Sequence, residues 1–323
     1  MSRYQLFDLS QVRLRAVAAR GHDLRADECL PLQDVAEPFS HPELSALIER
    51  IAAARRKGRP VIFMMGGHPI KLGLCRFLID LVERGWITHV ATNGAGVIHD
   101  FELALLGGTS ENVAKWIQAG QFGLWQETSR LNDVIRGAAE RGEGLGEAVG
   151  RTVHEEHFPH RQLSLTAAAW RCRVPLTCHV SVGSDIIHGM ANCDGAALGR
   201  ASFTDFRIFA RAVQDLEGGV FLNVGSAVTG PEVYLKALSI ARNVAHHLGK
   251  EIRQLTTAVF DLAPLPEGFR AGTPAKEEAL YYYRPWKTIL VRTVTDGGGS
   301  FYFRGNHRAT IPALWSKLVE VEL

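Results

Sequence analysis

Two segments of the chain repeat one design: a short apolar run, a glycine-bearing turn with polar residues, then an amphipathic run. The first is Val61–Val82 around Gly66-Gly67-His68-Pro69, and the second is His89–Leu106 around Thr92-Asn93-Gly94-Ala95-Gly96. An apolar run of strand length that ends at glycine and leads into a helical period is the pattern of a buried parallel strand with its crossover helix. Such a strand end leaves backbone N–H groups free at the start of the helix, where an anion or nucleotide can sit. The chain therefore reads as a nucleotide-handling α/β protein.

The remaining apolar runs extend the pattern to six candidate strands: Val61–Met65, His89–Thr92, Leu176–Val182, Val220–Val224, Thr256–Phe260 and Ile289–Val294. Amphipathic stretches lie before or between them at Glu43–Arg56, Lys71–Arg84, Ser110–Ala119, Glu127–Arg141, Phe203–Leu216 and Glu232–Leu248. Alternation of this kind predicts a Rossmann-like, doubly wound, mainly parallel six-stranded sheet with helices on both faces. At 323 residues and 46% apolar content the chain can bury a large core, read here as a single domain over residues 41–323. Residues 1–40 form a separate N-terminal arm, with Arg3, Arg13, Arg15, Arg20 and Arg25 scattered without a period, expected to pack on the body or on a neighbouring subunit. Pro264–Pro274 is the clearest irregular loop.

Charge and cysteine usage exclude several classes. Lys plus Arg at 36 against Asp plus Glu at 34 leaves +2, too even for a nucleic-acid or anionic-membrane surface. Five cysteines without a CxxC pair, mostly in apolar runs, are free thiols of a reducing compartment. No run approaches the roughly 20 apolar residues of a membrane span. Met1–Ser10 mixes charge with apolar residues and does not read as a leader. The expected location is cytoplasmic.

Chemistry is expected at the rim where the strands end. In Asn93-Gly94-Ala95-Gly96, the glycines allow close approach to a phosphate or ribose, Asn93 can donate and accept, and Asp100 can cap the following helix. Gly225-Ser226, leading to Gly230-Pro231, repeats the arrangement, as does Gly66-Gly67. Each turn is also readable as a tight strand-to-helix connection alone. His154, His157 and His160 lack a zinc-helix spacing and read as a solvated helix end, so no metal ligand set is assigned. His179, within an apolar strand, is either a core histidine or a site residue, and Asp185 after Gly183-Ser184 reads as functional. In Tyr281-Tyr282-Tyr283-Arg284-Pro285-Trp286-Lys287, before an apolar run, aromatic surroundings either desolvate and activate the lysine or give it a surface to lie on.

In order and spacing these residues resemble the deoxyhypusine synthase family. The resemblance is carried by Gly94-Ala95-Gly96-Val97 with its following Asp100, by Pro175 leading to Gly183-Ser184-Asp185, by Phe260-Asp261, by Glu277-Glu278-Ala279 and by Trp286-Lys287. It covers roughly residues 60–318 and marks the chain as a divergent, bacterial-type deoxyhypusine synthase-like protein. It implies an NAD-dependent aminobutyl (alkylamine) transferase acting on spermidine or a related polyamine, with Lys287 as the covalent imine-forming lysine. It also implies a homotetramer with sites at subunit interfaces and a possible protein lysine acceptor. Asp185, Asp261, Glu278 and His179 would then bind the amine, with Trp286 along its methylenes. Gly67, Asn93, Gly94, Ala95, Gly96, Asp100, Gly225 and Ser226 would hold NAD.

Three departures bear on the substrate. The family's glutamate pair is Ile98-His99 here, its later histidine pair is Gly230-Pro231, and the aspartate of its Thr-Asp-Gly-Ser turn is absent. They favour a related amine reaction, such as homospermidine formation from putrescine, over strict deoxyhypusine formation. The alternatives are a Rossmann-like metal-dependent hydrolase using His99, His179 and His188, and a non-catalytic nucleotide-binding member whose partners dock on the arm.

Overall fold

The computed structural model describes residues 2–33 and 38–322, so residues 34–37 of the arm lie outside the described residues. Six strands form one sheet: β1 Val61–Met65, β2 His89–Asn93, β3 Leu176–His179, β4 Val220–Val224, β5 Thr256–Asp261 and β6 Gly299–Arg304. Their order is β3-β2-β1-β4-β5-β6 and every pair is parallel. This is the Rossmann order, which reverses direction between β1 and β4.

The strands are apolar throughout because both faces are covered. Alternate residues of β1 enter different cores. Val61, Phe63 and Met65 join one cluster and Ile62 and Met64 the other. The first cluster is closed by helices α1 Leu44–Arg56, α2 Cys75–Glu83, α3 Gly94–Leu106, α4 Gln126–Arg141, α5 Leu145–Glu155 and α6 Leu165–Arg171. Helix α7, Gly195–Gln214, spans both clusters, sending Phe209 and Val213 into the second, where α8, Thr229–His247, also packs. Helix α9, His307–Val319, returns to the first.

Two strand expectations are corrected. Ile289–Val294 is not a strand: it belongs largely to a π-helical segment, Pro285–Arg292, with Pro285 in its first turn. The sixth strand is instead Gly299–Arg304, whose Tyr302 and Phe303 are buried. A short apolar run is ambiguous between strand and buried helix, and a proline at the first helical position favours the helix. The third strand stops at His179 rather than Val182, because the chain turns through Gly183 at φ 92°.

The arm packs on the body. Leu24–Arg25 pairs antiparallel with Gly108–Thr109, Arg15 bridges to Trp125, and Leu30 N–H donates to Gly73 O at 2.9 Å. Among the described residues, no helix is long and apolar enough to cross a membrane.

Candidate active site

The crevice at the β1/β4 reversal is built of bare backbone. A Cβ on Gly66 would lie 2.5 Å from Gly225 O, so the two turns approach as only glycine permits. Ser226 Oγ accepts from Gly230 N–H at 2.9 Å, and Asn223 Nδ2 donates to Ser226 O at 3.0 Å, fixing the turn after β4. The amides of Gly67, His68, Ser226 and Ala227 donate to no acceptor among the described residues. Free turn amides of this kind form an anion cradle.

The turn after β2 is filled by the protein itself. Asn93 Oδ1 caps α3 by accepting from Gly96 N–H at 3.0 Å, and the space a Gly96 side chain would occupy holds Thr92 Oγ1. A Cβ on Gly94 would stand 2.0 Å from Asp185 Oδ2. The helix start expected to seat a phosphate at Asn93, Gly94, Ala95 and Gly96 is therefore closed by a carboxylate. Asp100 is likewise corrected. It is buried inside α3 and accepts from Ser164 Oγ (2.6 Å), Thr166 Oγ1 (2.6 Å) and Leu165 N–H (2.6 Å), capping α6 and not α3.

Asp185 faces a cavity of about 240 Å³ bounded by Arg20, Lys71, His99, Glu111 and Ser184. Asp185 Oδ2 and Glu111 Oε2 are buried without a hydrogen-bond partner among the described residues. Burial pushes the Asp185 carboxyl up to about 6 and raises Glu111 as well. Glu111 is held by Trp125 Nε1–H at 2.9 Å and Gly123 N–H at 3.0 Å on its other oxygen. Each carboxylate thus keeps one oxygen without a donor, and the cavity also holds two cations, Arg20 and Lys71, with Arg20 Nη1 3.9 Å from Glu111 Oε1. Sequence reasoning missed Arg20, Lys71 and Glu111 because each is an isolated charge in its own segment. The one faint signal was the arm's scattered arginines, Arg20 among them.

At the other end of the rim, Lys287 is 2% exposed, with Nζ 3.6 Å from the centroid of the Tyr281 ring. No carboxylate lies within ion-pair distance of it among the described residues, although Lys287, with Lys236 and Arg284, helps hold Glu232 below its usual range. The segment carrying it is π-helical, a form that recurs at functional sites. Asp261 ends β5 beside Tyr283 and Tyr302, and burial together with that carboxylate pushes Tyr302 up to about 12.

Three substrate assignments are corrected. Trp286 is in the core, 4% exposed, its Nε1–H donating to Phe269 O at 2.8 Å, so its indole lines no channel. Glu278 is exposed on the loop and accepts from Ala275 N–H at 3.1 Å. His179 takes the core alternative: it is 4% exposed, lies 3.1 Å from Thr177 Oγ1 and 5.1 Å from the Phe209 ring, and burial lowers it to about 4. The hydrolase histidines do not converge either. His99 pairs with Thr109 Oγ1 at 2.8 Å and His188 accepts from Gly183 N–H at 3.0 Å. Among the described residues no cluster of three His, Cys, Asp or Glu side chains is arranged to hold a metal.

The Asp185 cavity borders β2 and the Lys287 segment borders β5, three strand spacings away, on the order of 14 Å across the sheet. Within one chain, the carboxylates and the lysine occupy opposite halves of the rim.

No protein-family model matches the sequence. No curated protein matches it. Among solved structures, AgrE in complex with ornithine and NAD+ is 11% identical with a TM-score of 0.47, the match covering 88% of this chain and 34% of AgrE. A conserved LOR/SDH protein from Methanococcus maripaludis S2 is 14% identical at a TM-score of 0.49, covering 91% of this chain and 74% of that one. A protein assigned as a deoxyhypusine synthase from Entamoeba histolytica is 10% identical at 0.40, covering 86% and 87%. The chain thus spans about a third of the length of AgrE. Likeness at this level carries no argument about chemistry, which rests on the side chains described above.

Proposed function

We propose that this protein is an NAD-dependent enzyme that transfers an alkylamine group through an imine on Lys287. The observation that carries the reading is Lys287 itself: a buried lysine on a π-helical segment, over an aromatic face and without an ion-pair partner. A lysine amine is the nucleophile that forms an imine with an electrophilic carbon. The free amides and glycines at Gly67, Gly225 and Ser226 fit a dinucleotide phosphate and would hold NAD in the crevice. When bound there, NAD supplies a hydride acceptor.

Asp185 and Glu111 would hold the ammonium end of a diamine, and the small cavity favours a short one such as putrescine. The two halves of the rim come together in this reading across a subunit interface, in the homotetramer that the family resemblance implies. Asp261 would meet the substrate at the same interface. The acceptor is a second amine, giving a homospermidine-type product, or a protein lysine.

Borohydride reduction with NAD and putrescine is expected to add mass to the peptide carrying Lys287, and Lys287→Arg to abolish the adduct. Peptide mapping by mass spectrometry is the readout. No adduct with putrescine, spermidine or cadaverine, on protein shown to be folded, would overturn the covalent reading.

A further inference from the structure

The reversal between β1 and β4 also carries His307, a histidine that the assignments above leave without a role. Gly305 N–H donates to Asp261 O at 3.0 Å, tying the end of β6 to the end of β5. Asn306 then caps α9, its Oδ1 accepting from Arg308 N–H at 3.0 Å. These contacts deliver His307, the first residue of α9, over the turn after β4. A Cβ on Gly225 would stand 2.5 Å from His307 Nε2, and Gly225 takes φ 61°, so glycine is required here on both counts.

The His307 side chain belongs to a residue only 8% exposed, and Nδ1 is buried with no hydrogen-bond partner among the described residues. Two titratable groups act on it. Burial lowers its basicity, the Asp261 carboxylate draws it up, and His68 from the turn after β1 pushes it down. Strands β1, β4, β5 and β6 thus converge, through their end loops, on one imidazole at the point where a doubly wound sheet opens to ligands.

We propose that His307 is the proton-accepting catalytic base of this rim, working on the N–H of a bound amine. The amine substrate rests on the function proposed above; the base itself does not. In the step, an N–H bond of the acceptor ammonium breaks, its electron pair forms a C–N bond to the carbon held as an imine on Lys287, and the proton passes to a ring nitrogen of His307, where Asp261 stabilises the imidazolium. When the C–N bond to Lys287 breaks, that proton returns to the departing lysine amine. Asp261 also borders Tyr283, on the segment that leads into Lys287, which places the base on the lysine's half of the rim.

Carbethoxylation of the folded protein with diethyl pyrocarbonate, followed residue by residue with mass spectrometry, tests the base without a substrate. His307 is expected to react at least about tenfold faster than the core residues His89 and His179. Its rate against pH is expected to have a midpoint below the ordinary histidine range, moved lower by Asp261→Asn and higher by His68→Gln. A His307 as inert as His89, or a midpoint that neither variant moves, overturns the proposal. With an active amine assay, His307→Gln is expected to lower kcat/KM by ~10²-fold or more and remove the acidic limb of the pH profile. An unchanged profile overturns it equally. A reactive, correctly titrating His307 in protein that forms no Lys287 adduct would remove the lysine mechanism and leave the base standing.

Discussion

Arg20→Ala is expected to lower the unfolding free energy by about 3–5 kcal/mol at pH 8, as removal of one partner from a buried ion pair does. Arg20 is 5% exposed and meets Glu102 through two bonds, Nη1 to Oε1 at 3.0 Å and Nη2 to Oε2 at 3.0 Å. Glu102 also accepts from Thr128 Oγ1 at 2.6 Å and from Thr109 Oγ1 at 2.8 Å. Burial alone would raise Glu102, but Arg20 and these hydroxyls hold it below its usual range. Its contribution is therefore present above the unfolded pKa and fades as pH falls through the folded one. Without Arg20 the carboxylate stays buried and uncompensated, so the loss should shrink toward pH 4, where Glu102 can be protonated. Denaturant unfolding at both pH values is the check, and a loss under about 1 kcal/mol at pH 8 would show that the pair contributes little.

Asp205 sets the opposite pH dependence. Its side chain is buried in α7, and Oδ2 accepts from Gly146 N–H at 3.0 Å and from Cys178 N–H at 2.8 Å, joining the first turn of α5 to β3. Oδ1 has no partner among the described residues, and burial pushes the carboxyl up to about 7. The folded protein thus keeps a proton that the unfolded chain releases near pH 4. Stability contributed by this group is complete below that value and is lost as pH rises toward 7. A shift of about three units corresponds to about 4 kcal/mol at most. Asp205→Asn keeps an acceptor for both amides and cannot ionise. Its stability relative to the parent should climb by a few kcal/mol between pH 4 and pH 8 and then level off. A difference that stays flat across that window would mean that Asp205 ionises readily in the folded protein.

Much of the fold was legible because parallel strands buried on both faces must be apolar and must end in turns. Val61–Met65 and Val220–Val224 were readable to the residue, and His89–Asn93 to within one. The error at Ile289–Val294 has the same root: a short apolar run says that a segment is buried, not whether it is strand or helix. The glycines were legible as close approaches, but their partners were not. Gly94 makes room for Asp185, Gly225 for His307 and Gly66 for Gly225 O, each of them distant in sequence. Asp100 looked like a cap and is one, for a helix 65 residues further on, at Leu165.

By itself the sequence determined five of the six strands and most of the helices that cross between them, since periodicity and glycine placement are local properties of the chain. Tertiary structure alone decided which charges meet. The strand order puts Asp185 and Lys287 on opposite halves of the rim, and the arm brings Arg20 beside Glu111 and Glu102. The turn after β6 carries His307 over Gly225. Desolvation and Coulomb interaction act through space over a few ångströms, so the electrostatic character of each group was fixed by neighbours that the linear chain does not place beside it.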